Sequence, residues 1–238
     1  MKLSKRLETV ASMVTKGNRA ADVGCDHGFV PIFLVESGIS PLAVAADVRP
    51  GPLSRAKEHI KEHRLEEKIQ TRLSDGLANI KPGEADSLIM SGIGGILMMR
   101  LLQDEEQTVK SFKELILSPQ SELFDVRRYL VSNGYLIEYE HMLCDEGKYY
   151  FIFHVLVKKD EREWSEEEYR YGKDICKDDI KTFLAYLEKE ERQYEQILEK
   201  MKQAPENDRA AQRIAQLHHD ITCLKKRRQL VYDCGCFA

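Results

Sequence analysis

The chain has 238 residues, enough for one full α/β domain and an appendage, and its 42% hydrophobic content can supply a core. A formal charge of −4 and a pI near 6.0 exclude a global pull toward nucleic acid, so any such contact must come from local basic patches. The opening MKLSKRLETVASMV has amphipathic helical spacing and no secretory apolar core, and no run approaches the roughly 18 apolar residues of a membrane span, so a soluble, cytoplasmic protein without membrane contact is expected.

Residues 3–16 read as an entry helix. A short, largely apolar run at 19–23 reads as a buried parallel strand, and it leads into Asp22-Val23-Gly24-Cys25-Asp26-His27-Gly28. Gly24 permits a tight turn, and Gly28 is expected to let the next helix, near 29–37, pack close to the sheet. A second strand at 42–46 ends at Asp47, whose carboxylate can accept both hydroxyls of a ribose. A helix near 52–63 follows, then a third strand at 69–73 that runs into Asp75-Gly76. Strands at 87–90 and 115–117, with helices near 95–105 and 121–132, continue the alternation. Such alternation implies a parallel sheet whose chemistry sits at the carboxyl ends of its strands. Runs at 135–139 and 149–157 then follow with only Asp145-Glu146-Gly147-Lys148 between them, which suits an antiparallel hairpin.

The glycine spacing selects among nucleoside cofactors. A dinucleotide site needs G-x-G-x-x-G, so that bare backbone can approach a pyrophosphate. Here the order is D-x-G-x-x-x-G, and Asp26 fills the middle glycine position. A carboxylate there repels a pyrophosphate and suits an ammonium or sulfonium group. S-adenosyl-L-methionine (SAM) carries both and no phosphate. The terminal hairpin agrees, because a dinucleotide fold would end in a parallel strand. The expected fold is therefore α/β: a Rossmann-like, class I SAM-methyltransferase sheet, parallel with a terminal antiparallel hairpin.

The grammar changes near residue 160. Ile180, Leu187, Tyr194 and Met201 repeat every seven residues, interleaved by Leu184, Glu191 and Leu198. Ala204-Pro205-Glu206-Asn207-Asp208 breaks the helix, and Ile214, Leu217, Ile221, Leu224, Arg228 and Val231 resume the spacing. Two helices joined by a short turn predict an antiparallel coiled-coil hairpin. The expected division is 1–159 for the cofactor-binding domain and 160–238 for the helical one. Each long helix has a partner in its own chain, so a monomer is expected. Six cysteines, at 25, 144, 176, 223, 234 and 236, form no C-x-x-C pair. His219 and Cys223 could share a metal, but two ligands make a poor site, and no metal is expected. Cys25 reads as a small packing residue.

With these motifs in order, the chain resembles the bacterial tRNA (adenine-22 N1)-methyltransferases along nearly its whole length. The resemblance rests on Leu3-Ser4-Lys5-Arg6-Leu7, the Asp22–Gly28 loop, Gly51-Pro52, Asp75-Gly76-Leu77, Gly92-Ile93-Gly94-Gly95 and Pro119. The family turn A-G-M-G-G is Ser91-Gly92-Ile93-Gly94-Gly95 here, and its L-Q-P-N is Leu117-Ser118-Pro119-Gln120. The resemblance implies SAM as cofactor and N1 of a tRNA adenine, flipped from its stack, as acceptor. It implies Asp22, Gly24, Cys25, Asp26 and Gly28 at the methionine end, Asp47 and Val48 at the ribose, Asp75 and Gly76 at the adenine, and Ser91 and Gly92 at the wall where the target base enters. His27 is the titratable candidate beside the methyl group, or else a hydrogen bonder of the loop, and Asp26 is a candidate to stabilise charge on the methylated ring. Lys225, Lys226, Arg227 and Arg228, with Arg209 and Arg213 near the hairpin turn, are candidates for gripping tRNA phosphates, set against a merely solvated helix face. Another RNA site or a small-molecule acceptor is the alternative.

Overall fold

The computed structural model describes residues 3–175, 177–202 and 208–233. The expected helix break at 204–207, Cys176 and the tail cysteines Cys234 and Cys236 lie outside them. The first helix, α1 (Lys5–Ser12), is capped by the Ser4 hydroxyl, which accepts the Leu7 N–H at 3.4 Å. It stops at Ser12 rather than at residue 16, because Thr15 turns aside to donate its N–H and hydroxyl to Glu114, at 2.8 and 2.6 Å. Then come β1 (Ala20–Val23), α2 (Phe29–Glu36), β2 (Ala43–Asp47), α3 (Pro50–Glu62), β3 (Ile69–Leu73) and β4 (Ser87–Ser91). They are followed by α4 (Gly95–Asp104), a short α5 (Glu106–Val109), β5 (Glu114–Ser118) and α6 (Leu123–Ser132). From β1 onward, all but the unpredicted α5 match the sequence expectation to within about two residues at each end. Helix α3 begins two residues early because its proline sits at the first helical position, where a missing N–H loses nothing.

The hairpin β6 (Leu136–Asp145) and β7 (Lys148–Leu156) has a first strand twice the expected length. Asp145 pairs with Lys148, which leaves Glu146 (φ 49°) and Gly147 (φ 77°) as a two-residue turn, both left-handed. That geometry matches the natural twist of paired strands.

The strands form one sheet in the order β3-β2-β1-β4-β5-β7-β6. The first five are parallel, and β7 runs antiparallel to both β5 and β6. Alternate residues face opposite sides. Ala20, Ala43, Ala45, Ile89, Ile116 and Ile152 meet α1, α2 and α3, while Ala21, Val44, Leu88, Met90, Leu115 and Phe153 meet α4, α5 and α6. One buried polar cluster ties α1 to the sheet. Glu114 accepts from Thr15, from Asn18 at 3.2 Å and from Ser87 at 2.5 Å, and faces His154 Nε2 at 3.1 Å. Burial would push this carboxyl up, but the bonds from His154, Ser87 and Thr15 prevail and hold it down at about 2.

After the hairpin come α7 (Glu166–Tyr171), a 3-10 turn at 177–179, α8 (Ile180–Lys202) and α9 (Asp208–Asp233). The two long helices extend ~35 and ~39 Å. Their contacts run in opposite directions: Phe183 meets Arg227, Glu191 meets Lys225, and Leu198 clusters with Leu217. The base of this antiparallel pair is continuous with the sheet's core, since Ile180, Phe183, Leu187, Cys223, Leu224 and Val231 join the α4–α6 side. Farther out, Leu198, Leu217 and Ile221 form a core of their own. Arg127 of α6, fully buried, fastens the base. It bonds Glu140 of β6 at 2.7 and 3.0 Å, donates to the Tyr169 and Arg170 carbonyls of α7, and lies over the Phe151 and Phe153 rings. Among the described residues no helix is long and apolar enough to cross a membrane.

Candidate active site

The strand order reverses between β1 and β4, and a crevice opens at the carboxyl ends of strands at such a point. A cavity of about 510 Å³ occupies it, within the ~300–1,000 Å³ common for small-molecule sites. Each strand end contributes in turn: Gly24 and Asp26 after β1, Asp47, Val48 and Arg49 at β2, Ser74, Asp75 and Gly76 after β3, and Ser91, Gly92 and Ile93 at β4. Arg6, Leu97, Leu101 and Gln120 close it.

The floor is built by the loop after β1. Gly24 (φ 80°) turns the chain so that its own N–H and that of Cys25 both donate to the Ala46 carbonyl, at 2.9 and 3.0 Å. Asp26 also adopts a left-handed φ of 48°, which aspartate tolerates better than most residues, and it stays largely exposed at the rim. Its N–H donates to Asp47 Oδ2 at 3.3 Å, while Asp47 Oδ1 accepts the Arg49 N–H at 2.8 Å. Asp47 is therefore buried and oriented with acceptor capacity to spare. The Arg49 guanidinium lies 3.5 Å from Asp47 and 3.9 Å from Asp26.

Asp22 is buried directly beneath this floor. Burial pushes its carboxyl up to about 7, against the pull of Arg6 and with a further push from Asp47. Arg6 reaches over from α1 to donate to Ser91 Oγ at 2.5 Å, and its guanidinium fills the space where a side chain on Gly92 (φ 87°) would begin. Burial pushes the Cys25 thiol up as well, reinforced by Asp22, Asp47 and Asp26, so this cysteine forms no thiolate and serves as packing.

Asp26, Gly24, Asp47, Val48, Asp75, Gly76, Ser91 and Gly92 thus line the cavity, whereas Asp22, Cys25, His27 and Gly28 adjoin these residues in the chain without lining it. Two expectations need correction. The His27 ring does not line the cavity: it stacks on Phe29 at 5.3 Å and lies 5.9 Å from His59, whose Nδ1 bonds the His27 carbonyl at 3.0 Å, and only its Nε2 comes within 3.5 Å of Asp26 at the rim. Successive left-handed turns at Asp26 and Gly28 send the side chain outward, toward α3. Gly28 itself keeps two helices close rather than a helix and the sheet, because a Cβ there would lie 3.1 Å from the Ala56 Cβ of α3. Sequence alone assigns no role to Arg6, Ser74, Leu97, Leu101 and Gln120. Arg6 belongs to a string that carries the family resemblance, Gln120 stands where the family has another residue, and Arg49 follows Asp47-Val48 in the stretch expected at the ribose.

The basic tetrad on α9 is split by the helical period. Lys225 and Arg228 both pair with Glu191 of α8, at 3.4 and 2.5 Å. Arg227 points inward, over the Phe183 ring and onto the Lys173 carbonyl at 2.8 Å. Lys226, Arg209 and Arg213 remain exposed. His219 and Cys223 gain a third neighbour in Glu166, but that carboxylate already pairs with Arg170 at 2.8 Å and with His219 at 2.9 Å.

The methyltransferase-domain family matches residues 3–153, almost the whole sheet with its site. The chain belongs to that family. It is 28% identical to the tRNA (adenine(22)-N(1))-methyltransferase of Bacillus subtilis, over 95% of this chain and 97% of that protein. A crystal structure of the B. subtilis M1A22 tRNA methyltransferase superposes with a TM-score of 0.84, covering 94% of this chain and 98% of that one. A Streptococcus pneumoniae protein in complex with S-adenosyl-L-methionine is 32% identical, with a TM-score of 0.83 over 94% of this chain and 99% of that one. The Mycoplasma capricolum homologue of the B. subtilis enzyme, in complex with S-adenosyl-homocysteine, is 25% identical, with a TM-score of 0.84 over 97% and 100%. Likeness over such lengths takes in the C-terminal helices as well as the sheet, and it places the chain among the tRNA (adenine-22 N1)-methyltransferases that its motifs resemble.

Proposed function

We propose that this protein methylates N1 of adenine 22 in tRNA, with SAM as the methyl donor. The carrying observation is a carboxylate-lined cavity at the sheet's switch point in a chain that matches tRNA methyltransferases end to end. The residues present fit the cofactor. Asp26 occupies the loop position where a dinucleotide site would offer bare glycine backbone, and Asp22 lies near the end of the strand just before it, so a cationic ligand is favoured over a pyrophosphate.

When bound, SAM supplies an electrophilic methyl carbon, to which the N1 lone pair bonds as the carbon–sulfur bond breaks, leaving S-adenosylhomocysteine and a cationic 1-methyladenine ring. The chain's part is binding, orientation and charge. Asp22 and Arg6, buried carboxyl and partly buried guanidinium, complement the ammonium and carboxylate of an amino-acid end. Asp47, held by two backbone N–H groups, takes the ribose hydroxyls, and Asp75 takes an exocyclic amine. The wall at Ser91 and Gly92, fixed by Arg6, places the acceptor base. Asp26 at the rim offsets positive charge on the methylated ring, while His27 holds the loop against α3 rather than moving a proton. Residues 160–238 act as a monomer's own tRNA arm, in the cytoplasm.

Incubation with methyl-labelled SAM and bulk unmodified bacterial tRNA, followed by nucleoside analysis, tests this. Label in 1-methyladenosine is expected. Label in a different nucleoside would reject the acceptor, and none at all would reject the activity.

A further inference from the structure

The tetrad on α9 is largely neutralised or buried, yet a tRNA substrate needs a path to the cavity. Resting on the tRNA-methyltransferase reading, we propose that the tRNA crosses the tip of the β6–β7 hairpin, held by a strip of alternating cations and aromatic rings. The strip begins at the cavity wall. The Arg6 guanidinium lies 5.5 Å from the centre of the Tyr150 ring, and Lys148 Nζ lies 5.2 Å from the same ring. Around the tip, on the opposite face of β7, Lys189 Nζ of α8 sits 5.1 Å from the Tyr149 ring and reaches the Gly147 carbonyl at 3.3 Å. Tyr149 in turn meets the Tyr186 ring edge-on at 5.4 Å.

Three features favour a nucleic acid here. Lys148 and Lys189 are exposed, and among the described residues neither pairs with a carboxylate, unlike Lys225 and Arg228. Rings bracketed by cations offer both parts of single-strand recognition: a π-face for a base and a charge for its phosphate. The two faces of the tip also link the cofactor cavity, through Arg6, to the helical arm, through Lys189 of α8. Asp145 and Glu146 flank it in the same turn, so placement of rings and cations, rather than net charge, carries the recognition.

The test measures binding of an unmodified tRNA transcript to the full chain across a salt series. The Lys148→Ala/Lys189→Ala double variant is expected to flatten the slope of log affinity against log salt by about 1.5–2, roughly one per lost phosphate contact. Tyr150→Leu is expected to weaken binding on the order of 5- to 150-fold, as loss of one stacked base does, while Tyr150→Phe stays within about twofold. Affinity for S-adenosylhomocysteine and the thermal midpoint should not move in any of them. Unchanged tRNA affinity and slope in the double variant and in Tyr150→Leu would overturn the proposal, as would a larger loss from Lys225→Ala/Lys226→Ala. Failure of the wild-type protein to methylate tRNA would instead reject the activity on which the strip depends, which keeps the two outcomes apart.

Discussion

Asp22 makes cofactor binding a titration. Its carboxyl is pushed up to about 7, so the free protein at pH 6 holds it ionised in only about a tenth of molecules. A ligand ammonium favours the ionised form, so binding draws off a proton whenever the pH lies below that value. Affinity for S-adenosylhomocysteine should therefore rise with pH, by about tenfold (~1.4 kcal/mol) between pH 6 and a plateau just above neutrality. The same ionisation works against the fold. Between the unfolded value near 3.8 and about 7 the native state holds a proton that the unfolded chain has lost, so stability falls as pH rises through this window. The accumulated cost is about 4 kcal/mol above pH 7 and is absent below pH 4. Asp22→Asn should thus weaken ligand binding and abolish its pH slope, while stabilising the ligand-free protein at pH 8. Calorimetry in buffers of different ionisation enthalpy reads the affinity and the released proton together. A native affinity that is flat from pH 5.5 to 7.5, or an Asn variant that keeps the slope, would refute this.

Arg6→Gln removes the charge that holds Asp22 down, so the midpoint of that titration should move to higher pH; an unmoved midpoint would separate Arg6 from Asp22. Arg127→Met strands the fully buried Glu140 carboxylate and should cost about 3–5 kcal/mol in urea unfolding, with Glu140→Leu added to it recovering much of the loss. A loss below about 1 kcal/mol would show the pair to be incidental. Glu114, held down at about 2 against an ordinary 4.5, contributes about 3 kcal/mol that is present above pH 4.5 and lost as pH falls toward 2. Unfolding at pH 3 and pH 7 should show that acid limb in the wild type and a flatter one in Glu114→Gln.

The parallel strands were legible because burial on both faces writes them as short apolar runs, and the hairpin because Glu146-Gly147 supplies two left-handed positions. The heptads of α8 were legible down to Glu191, whose place in the seam is satisfied by cations of α9. What sequence could not carry is long-range pairing. The first hairpin strand looked short because Glu138, Glu140 and His141 interrupt its apolar pattern, yet Glu140 is a core residue once Arg127 meets it. Arg6 reads as one charge on an amphipathic helix until Ser91 receives it. Helix α7, with the sequence EEEYRY, has no apolar face to announce it and depends on a Ser165–Glu168 capping box and on Arg127. Charge in a run says nothing about facing, and so Arg227 and Arg228, neighbours in sequence, ended in a core and in an ion pair.

The central claim is most directly tested with two tRNA transcripts that differ only at position 22, adenine in one and guanine in the other. Purified protein with SAM should convert the first to a product that blocks primer extension at position 22 and leave the second unmodified. Equal methylation of both transcripts, or of neither, would contradict it.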